Sequence, residues 1–133
     1  MRRLAGRVTV LVLVALIAIV VAGCGSASKG GPAITKVDAG TAVSMLNART
    51  VIDVRTPAEY AAGHIARARN IDVEGADFAS AVSALDKGAA YLVYCHSGRR
   101  SAMAAEQMAA AGFTDIVDGG AMADLLAAGA PTQ

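Results

Sequence analysis

The sequence predicts an α/β fold, a three-layer sandwich in which a parallel sheet of about five strands lies between helices on both faces. Short apolar runs alternate along the chain with segments whose apolar residues recur at helical spacing. The strand-like runs are apolar almost throughout, which is typical of parallel strands buried on both faces. The alternation covers about 100 residues, enough for one modest core and therefore for one domain.

The first half of the pattern contains two strands and two helices. Residues 34–37 predict the first strand, and Asp38 is the expected N-cap of a helix that continues through Asn47. Residues 51–54 predict the second strand. The sequence Thr56-Pro57-Ala58-Glu59 then opens a helix, because Thr is a good N-cap, Pro is favoured at the first helical position and Glu at the third completes a capping box.

The second half of the pattern repeats the alternation three times. The predicted strands are 68–71, 91–94 and 116–117, and the predicted helices are 78–85, 99–111 and 122–128. Gly112 ends the helix before it, since glycine readily adopts the left-handed conformation found just past helix ends.

The first quarter of the chain has the pattern of an export signal. Three arginines and no acidic residue lie within residues 1–7, before an almost uniformly apolar run at 8–22. That run is shorter than the ~20 residues needed to span a bilayer. It ends in Val21-Ala22-Gly23-Cys24, which resembles a bacterial lipobox. The resemblance implies a lipoprotein signal peptide at 1–23 and lipidation of Cys24.

A lipid on Cys24 would anchor the chain to a membrane of the cell envelope on its extracytoplasmic side, because two acyl chains give stable anchoring. Residues 24–33 are then the lipidated cysteine and a flexible Gly/Ser/Ala-rich tether, before a folded domain at 34–133. An uncleaved signal anchor and a soluble secreted protein are the alternatives.

The charge of the processed chain bears on its partners. Removing residues 1–23 takes away three of the 12 Lys and Arg and none of the 11 Asp and Glu, which leaves a formal charge of −2. No basic block remains, so nucleic acid is not an expected partner. Separately, the domain is expected to be monomeric.

Cys95 is the main candidate for chemistry. It follows the apolar run 91–94 and precedes His96-Ser97-Gly98-Arg99-Arg100-Ser101. A strand-to-helix turn of this kind can direct backbone N–H groups and the positive end of a helix at one point. A thiol there is expected to ionise readily, and the thiolate is the reactive form. If Cys24 is lipidated, Cys95 has no partner for an intrachain disulfide.

Further motifs accompany this cysteine in a fixed order: residues 52–60, Gly63-His64-Ile65, Ala68-Arg69-Asn70-Ile71 and Asp118-Gly119-Gly120. Together with Cys95 and its loop, they resemble a single-domain rhodanese, a sulfurtransferase, and the resemblance extends over residues 34–131. It implies that Cys95 takes a sulfane sulfur from a donor such as thiosulfate. The resulting persulfide then passes the sulfur to a thiophilic acceptor, a thiol or cyanide. The resemblance also implies that Arg100 closes the loop by bonding its backbone.

The residues after Cys95 are expected to form the persulfide-binding loop. The N–H groups of residues 96–101 would stabilise the anionic persulfide as they would an oxyanion, and Arg99 or Arg100 would accommodate the departing sulfite. Gly98 is expected to supply a backbone angle that other residues resist. His96 is expected to be exposed beside the nucleophile, and when protonated it is a candidate contact for an anionic donor. Arg99 is either solvated or a substrate contact.

Other polar residues are expected to support this loop. Asp53 ends a strand at the same rim of the sheet as Cys95, and with Arg55 it predicts a structural ion pair rather than a catalytic pair. Glu59 is expected to cap a helix, and His64 to be a hydrogen-bonded structural residue. No cofactor is expected, and two histidines with one remaining cysteine do not make a zinc-type ligand set.

One feature departs from the rhodanese-like pattern, and another distinguishes this chain from related enzyme families. Rhodanese-like domains usually have a tryptophan after the double glycine, whereas this chain has none, so Leu125 or Leu126 is expected to fill that space, with Ala121 as an extra residue. The loop from Cys95 to Arg100 has six residues, one fewer than in the phosphatases and arsenate reductases that resemble this fold. A loop of this length favours sulfur over a tetrahedral oxyanion.

Three other function classes are alternatives to sulfur transfer. A phosphatase or arsenate reductase is disfavoured by the loop length, and a thioredoxin-like exchange role lacks a second cysteine in Cys-x-x-Cys spacing. A non-enzymatic sulfur carrier or redox-sensing module is the stronger alternative, since an open thiol outside the cytoplasm is readily oxidised. With no second domain to cover it, the site is expected to be open and shallow.

Overall fold

The computed structural model describes residues 32–133, which form five strands and five helices. The strands are β1 (Ile34–Lys36), β2 (Thr50–Asp53), β3 (Arg69–Asn70), β4 (Tyr91–Cys95) and β5 (Ile116–Ala121). The helices are α1 (Ala39–Met45), α2 (Pro57–Ala61), α3 (Phe78–Ser83), α4 (Arg99–Ala110) and α5 (Met122–Ala127). All strands join one sheet in the order β1-β5-β4-β2-β3, and every neighbouring pair is parallel.

Helices cover both faces of this sheet. Helices α3 and α4 pack on one face through residues such as Phe78 and Met108, and α1 and α5 pack on the other through Ala42 and Leu125. Side chains along β4 alternate between these two cores, with Cys95 on the α3/α4 side. The predicted three-layer α/β sandwich is therefore confirmed.

Most elements lie where the sequence predicts them, with ends shifted by at most two residues. Local signals account for this agreement. The Asp38 side chain accepts a hydrogen bond from the N–H of Thr41 at the start of α1, and the predicted capping box forms at the start of α2. Gly112, just past the end of α4, has the expected positive φ, +99°.

The fifth strand was predicted too short. It continues beyond residue 117 through two glycines to Ala121, because it pairs with β4, where Ala121 lies opposite Cys95. Glycine suits this strand at position 119, since a Cβ built there would lie 2.9 Å from Cδ2 of Leu92. Of the two leucines considered for the space of the absent tryptophan, Leu125 is fully buried, whereas Leu126 is 39% exposed.

The predictions for the N-terminal region fall outside the described residues. The signal peptide at 1–23, the lipidation of Cys24 and most of the tether at 24–33 therefore stay predictions. Within residues 32–133, no helix is long and apolar enough to cross a membrane.

Candidate active site

The thiol of Cys95 lies at the carboxyl end of the central strand β4. Asp53 ends the neighbouring strand β2 and lies opposite Tyr94, so Asp53 and Cys95 share one rim of the sheet, as predicted. The backbone N–H of Gly98 donates a hydrogen bond to Sγ of Cys95 at 3.0 Å. Such a donor favours negative charge on the sulfur, because the partial positive charge of the N–H points at it.

Gly98 turns the chain from the loop into helix α4. It is the N-cap of α4 and has φ of +92°, the left-handed conformation that side chains disfavour, as expected for this position. The Ser101 hydroxyl donates to the Gly98 carbonyl at 3.0 Å and holds this turn from within the helix. A Cβ added to Gly98 would lie 3.7 Å from Cα of Gly120, so the loop sits close against the end of β5.

The sulfur is buried, contrary to the expected open and shallow site. Cys95 has a relative exposure of 0%, because the loop that follows it folds back over the strand end. His96 and Ser97 are both exposed, so the predicted solvent exposure of His96 is met. Among residues 32–133, Gly98 provides the one N–H that bonds Sγ, and the expected convergence of several loop amides is absent there. The positive φ of Gly98 turns the chain that follows this N–H into α4.

Arg100 pairs with Glu59 instead of the loop backbone. Its two terminal nitrogens donate to the two carboxylate oxygens of Glu59, each at 2.8 Å, and within the described part of the chain it makes no hydrogen bond to the loop backbone. The predicted role of Arg100 in closing the loop by bonding its backbone is therefore wrong. The planar guanidinium matches a carboxylate in this two-bond geometry, and Glu59 is held in place by its capping of Thr56.

The charges of this pair support each other. The hydrogen bonds from Arg100 are the main reason why the pKa of Glu59 is lowered to about 2, against the usual 4.5. The same bonds raise the pKa of Arg100, and negative charge on Cys95 raises it further. Arg100 is therefore a fixed cation at the start of α4, held in place by Glu59.

Arg99 lies on the outside of the loop. Its side chain is 71% exposed, and one terminal nitrogen lies 3.5 Å from a carboxylate oxygen of Glu74. Glu74 also lies 3.9 Å from Arg100. This loose, solvated pair leaves Arg99 available to a ligand, which fits either of the two roles considered for it.

Asp53 and Arg55 form the predicted ion pair, and it is buried. The guanidinium of Arg55 donates to both carboxylate oxygens of Asp53, with a shortest distance of 2.6 Å. The hydrogen bonds to Asp53 are the main cause that raises the pKa of Arg55. Arg55 also donates to the carbonyl of Gly63 at 2.8 Å, which ties the segment after α2 to the strand end.

Tyr94 completes this network and was not singled out from the sequence. Its hydroxyl donates to Asp53 at 2.7 Å and accepts from the N–H of Ile65 at 3.0 Å. Burial is the main cause that raises the pKa of Tyr94. One signal was available: a tyrosine in a fully apolar strand must find a buried partner for its hydroxyl, and Asp53 ends the adjacent strand.

His64 and Asn70 play structural parts around this network. The His64 ring stacks on Tyr60 with centroids 3.7 Å apart, and Nδ1 lies 3.0 Å from the Tyr60 carbonyl oxygen, in line with the predicted structural role. The side-chain amide of Asn70, a motif residue for which the sequence predicted no role of its own, donates to the carbonyls of Asp53 and Arg55 at 3.1 and 2.8 Å.

The part of the chain that the structure describes contains no candidate metal site. No group of three or more His, Cys, Asp or Glu side chains is arranged there to hold a metal ion. This rim of the sheet holds the thiol of Cys95 with an amide donor at Gly98, and Arg100 lies at the start of the helix that follows.

Comparison with known proteins gives consistent results. The family model described as Rhodanese-like domain matches residues 38–123. A thiosulfate sulfurtransferase GlpE from Pseudomonas putida is 42% identical over 73 residues, which are 53% of this chain and 64% of that protein. The thiosulfate sulfurtransferase PspE of Escherichia coli K12 is 34% identical over 74 residues, 56% of this chain and 71% of that protein. The matched region thus spans just under two thirds of the Pseudomonas putida relative.

Solved structures with the same fold include two rhodanese-like proteins. A rhodanese-like domain from Anabaena sp., determined by NMR, is 31% identical with a TM-score of 0.66, covering 74% of this chain and 77% of that one. A rhodanese-related protein from Thermoplasma volcanium is 30% identical with a TM-score of 0.63, covering 74% and 96%.

Proposed function

Because this chain belongs to the rhodanese-like family, we propose that it is a sulfurtransferase that works through a persulfide on Cys95. The donor is a small sulfane-sulfur compound such as thiosulfate, and the acceptor is a thiol or cyanide. The names of the GlpE and PspE relatives support the thiosulfate reaction class. The observation that carries the proposal is the position of the Cys95 sulfur, 3.0 Å from the Gly98 N–H at the end of β4.

The first half-reaction loads the protein with sulfur. The Cys95 thiolate attacks the outer sulfur of thiosulfate, a bond forms between the two sulfurs, and the sulfur–sulfur bond of thiosulfate breaks. Sulfite leaves with the electron pair of that bond, so no oxidant or reductant is needed. Arg99, exposed at the loop, supplies positive charge for the anionic donor and for sulfite as it leaves.

The second half-reaction unloads the protein. The acceptor attacks the outer sulfur of the persulfide, the persulfide bond breaks, and the Cys95 thiolate is regenerated with that electron pair. Arg100 is a permanent cation near the sulfur, which stabilises both the thiolate and the persulfide anion. Because Cys95 is buried, both reactants approach it from the side of the exposed residues His96 and Ser97.

Mass spectrometry of the intact chain tests this proposal. We expect incubation with thiosulfate to add the mass of one sulfur atom, and cyanide to remove it with formation of thiocyanate. The Cys95→Ser variant should take up no sulfur. Absence of the adduct, together with turnover of a phosphate ester, would instead identify a phosphatase. An adduct that no acceptor removes would identify a sulfur carrier.

We also propose that Cys24 carries a lipid that tethers the domain to a membrane. The support is the sequence alone: a charged start, an apolar run and the lipobox-like residues 21–24. In cells, the chain should fractionate with membranes. Cys24→Ala or an inhibitor of lipoprotein processing should change its fractionation or its mobility. If both treatments leave the fractionation and the mobility of the chain unchanged, the anchor proposal fails.

A further inference from the structure

An apolar groove lies beside the active-site loop. It has a volume of about 300 Å³, and its apolar wall consists of Ala62 from the end of α2 and Met122, Ala123 and Leu126 from α5. His96, the residue after the reactive cysteine, lines it at the loop. Leu126 is the large hydrophobic residue left exposed among residues 32–133, at 39%. An exposed leucine in a concave apolar wall favours a site for an apolar ligand.

The groove meets the active-site loop at His96, the residue that follows Cys95. Cys95 at the end of β4 pairs with Ala121 at the end of β5. Helix α5 begins with the next residue, Met122, which is part of the groove wall. The backbone of Cys95 therefore lies beside the start of α5, while its side chain packs on the α3/α4 side of the sheet, and His96 is the loop residue that links the groove to the thiol.

The charged residues of the groove are already neutralised by partners. Arg55 donates to the buried carboxylate of Asp53, and Glu59 accepts two hydrogen bonds from Arg100. A charged ligand would lose its hydration in the groove. Arg55 and Glu59 would not replace that loss, because each already pairs with an opposite charge. The exposed cation Arg99 is not part of the groove lining, so its positive charge is available to an anionic donor outside the groove.

We propose that this groove binds the hydrocarbon part of the sulfur acceptor, which is an uncharged organic thiol with an aliphatic chain. The inference deepens the proposed function, because it requires a persulfide on Cys95. With its chain in the groove, the acceptor thiolate attacks the outer persulfide sulfur. The acceptor leaves as a persulfide, and Cys95 keeps the electron pair of the broken bond as a thiolate.

The length of the acceptor chain provides the test. The full chain in detergent is loaded with thiosulfate, freed of excess donor and mixed with 3-mercapto-1-propanol or 6-mercapto-1-hexanol at one subsaturating concentration. Loss of the persulfide is followed by intact mass. We expect the longer thiol to discharge it about tenfold faster, since each buried methylene adds a favourable increment and the chain is only partly enclosed.

Three variants show whether the groove causes this preference. Leu126→Ser removes apolar wall and Ala62→Trp fills the groove, so both should reduce the ratio of the two rates to about threefold or less. Ala127→Ser introduces the same serine in the same helix at an exposed position that does not line the groove, and it should keep the parental ratio. Because the two thiols are compared within each variant, any effect of the substitution that changes both discharge rates equally cancels in their ratio.

The outcomes separate this inference from the function it builds on. A ratio near one in the parent, or an equal ratio in the parent and in both groove variants, would overturn the groove as an acceptor site. Faster discharge by 3-mercaptopropionate than by the hexanol would do the same, because it would indicate an anionic acceptor. If the chain takes up no sulfur from thiosulfate, the proposed function fails and this inference fails with it. If the chain loads normally and cyanide discharges it, but the two thiols react at equal rates, only the groove as an acceptor site is overturned.

Discussion

Glu59 and Arg100, 41 residues apart in the chain, are joined by two hydrogen bonds of 2.8 Å. Glu59 also accepts from the backbone N–H and the hydroxyl of Thr56 in the capping box of α2. One carboxylate therefore fixes the start of α2 and the start of α4, which carries the loop over Cys95. We infer that this pair holds the loop in its reactive geometry, as a positioning contact that does not itself touch the sulfur.

Replacing Glu59 with Gln should slow sulfur uptake and lower stability only modestly. The variant loses the charge pairing of Arg100 but keeps one acceptor oxygen, so unfolding free energy should fall by only about 1 kcal/mol. We expect the rate of sulfur uptake from thiosulfate to fall about three- to tenfold, which corresponds to the loss of one charge-assisted contact. Time-resolved intact mass measures the rate, and urea denaturation measures the stability.

Glu106→Gln is the matched control for that variant. It makes the same chemical change on helix α4, at an exposed position away from Arg100. Equal rates in the two variants would show that Glu59 has no positioning role.

Acid should weaken the fold partly through Glu59. Its pKa is lowered to about 2 in the folded chain from 4.5, so the stability that its ionised form adds is complete above about pH 4.5 and is lost as the pH falls toward 2. Urea denaturation between pH 2.5 and 6 should therefore show a shallower acid loss for Glu59→Gln than for the parent, while Glu106→Gln keeps the parental slope. Parallel curves for the parent and Glu59→Gln would contradict this assignment.

Gly98→Ala should damage sulfur transfer specifically. Its φ of +92° penalises any side chain, so we expect a loss of about 1–2 kcal/mol in unfolding free energy and displacement of the N–H that bonds Sγ of Cys95. Gly129→Ala is the control, because Gly129 has φ of +97° and nothing within 4 Å of an added Cβ. Both variants should lose similar stability, but only Gly98→Ala should lose more than about tenfold in sulfur uptake.

Tyr94→Phe should destabilise the domain more than Tyr91→Phe. The Tyr94 hydroxyl bonds both Asp53 and the N–H of Ile65 in a buried site, and its removal leaves two polar groups short of a partner, at a cost of about 2–3 kcal/mol. The Tyr91 hydroxyl donates one partly buried bond, to the carbonyl of Asp86, and should cost about 1 kcal/mol. Urea midpoints at equal m-values measure both, and an equal loss in the two variants would contradict the bridging role.

Features decided by neighbours in the chain were predictable from the sequence. The capping box at Thr56 and the left-handed turn at Gly98 each depend on a few consecutive residues, and the ion pair of Asp53 and Arg55 spans two positions. The six-residue loop from Cys95 to Arg100 is likewise contiguous, so its place at a strand-to-helix junction followed from the alternation of apolar patterns.

Features decided by the packing of distant segments required the tertiary structure. The partner of Arg100, the bridge from Tyr94 to Asp53 and the extension of β5 through its glycines all join residues far apart in the chain. The burial of Cys95 under its loop, and the groove between the end of α2, the loop and α5, also arise only in the folded chain. Local preferences are set by each residue and its near neighbours, whereas these contacts depend on which side chains the fold brings within bonding distance, and that is specified only by the packed core as a whole.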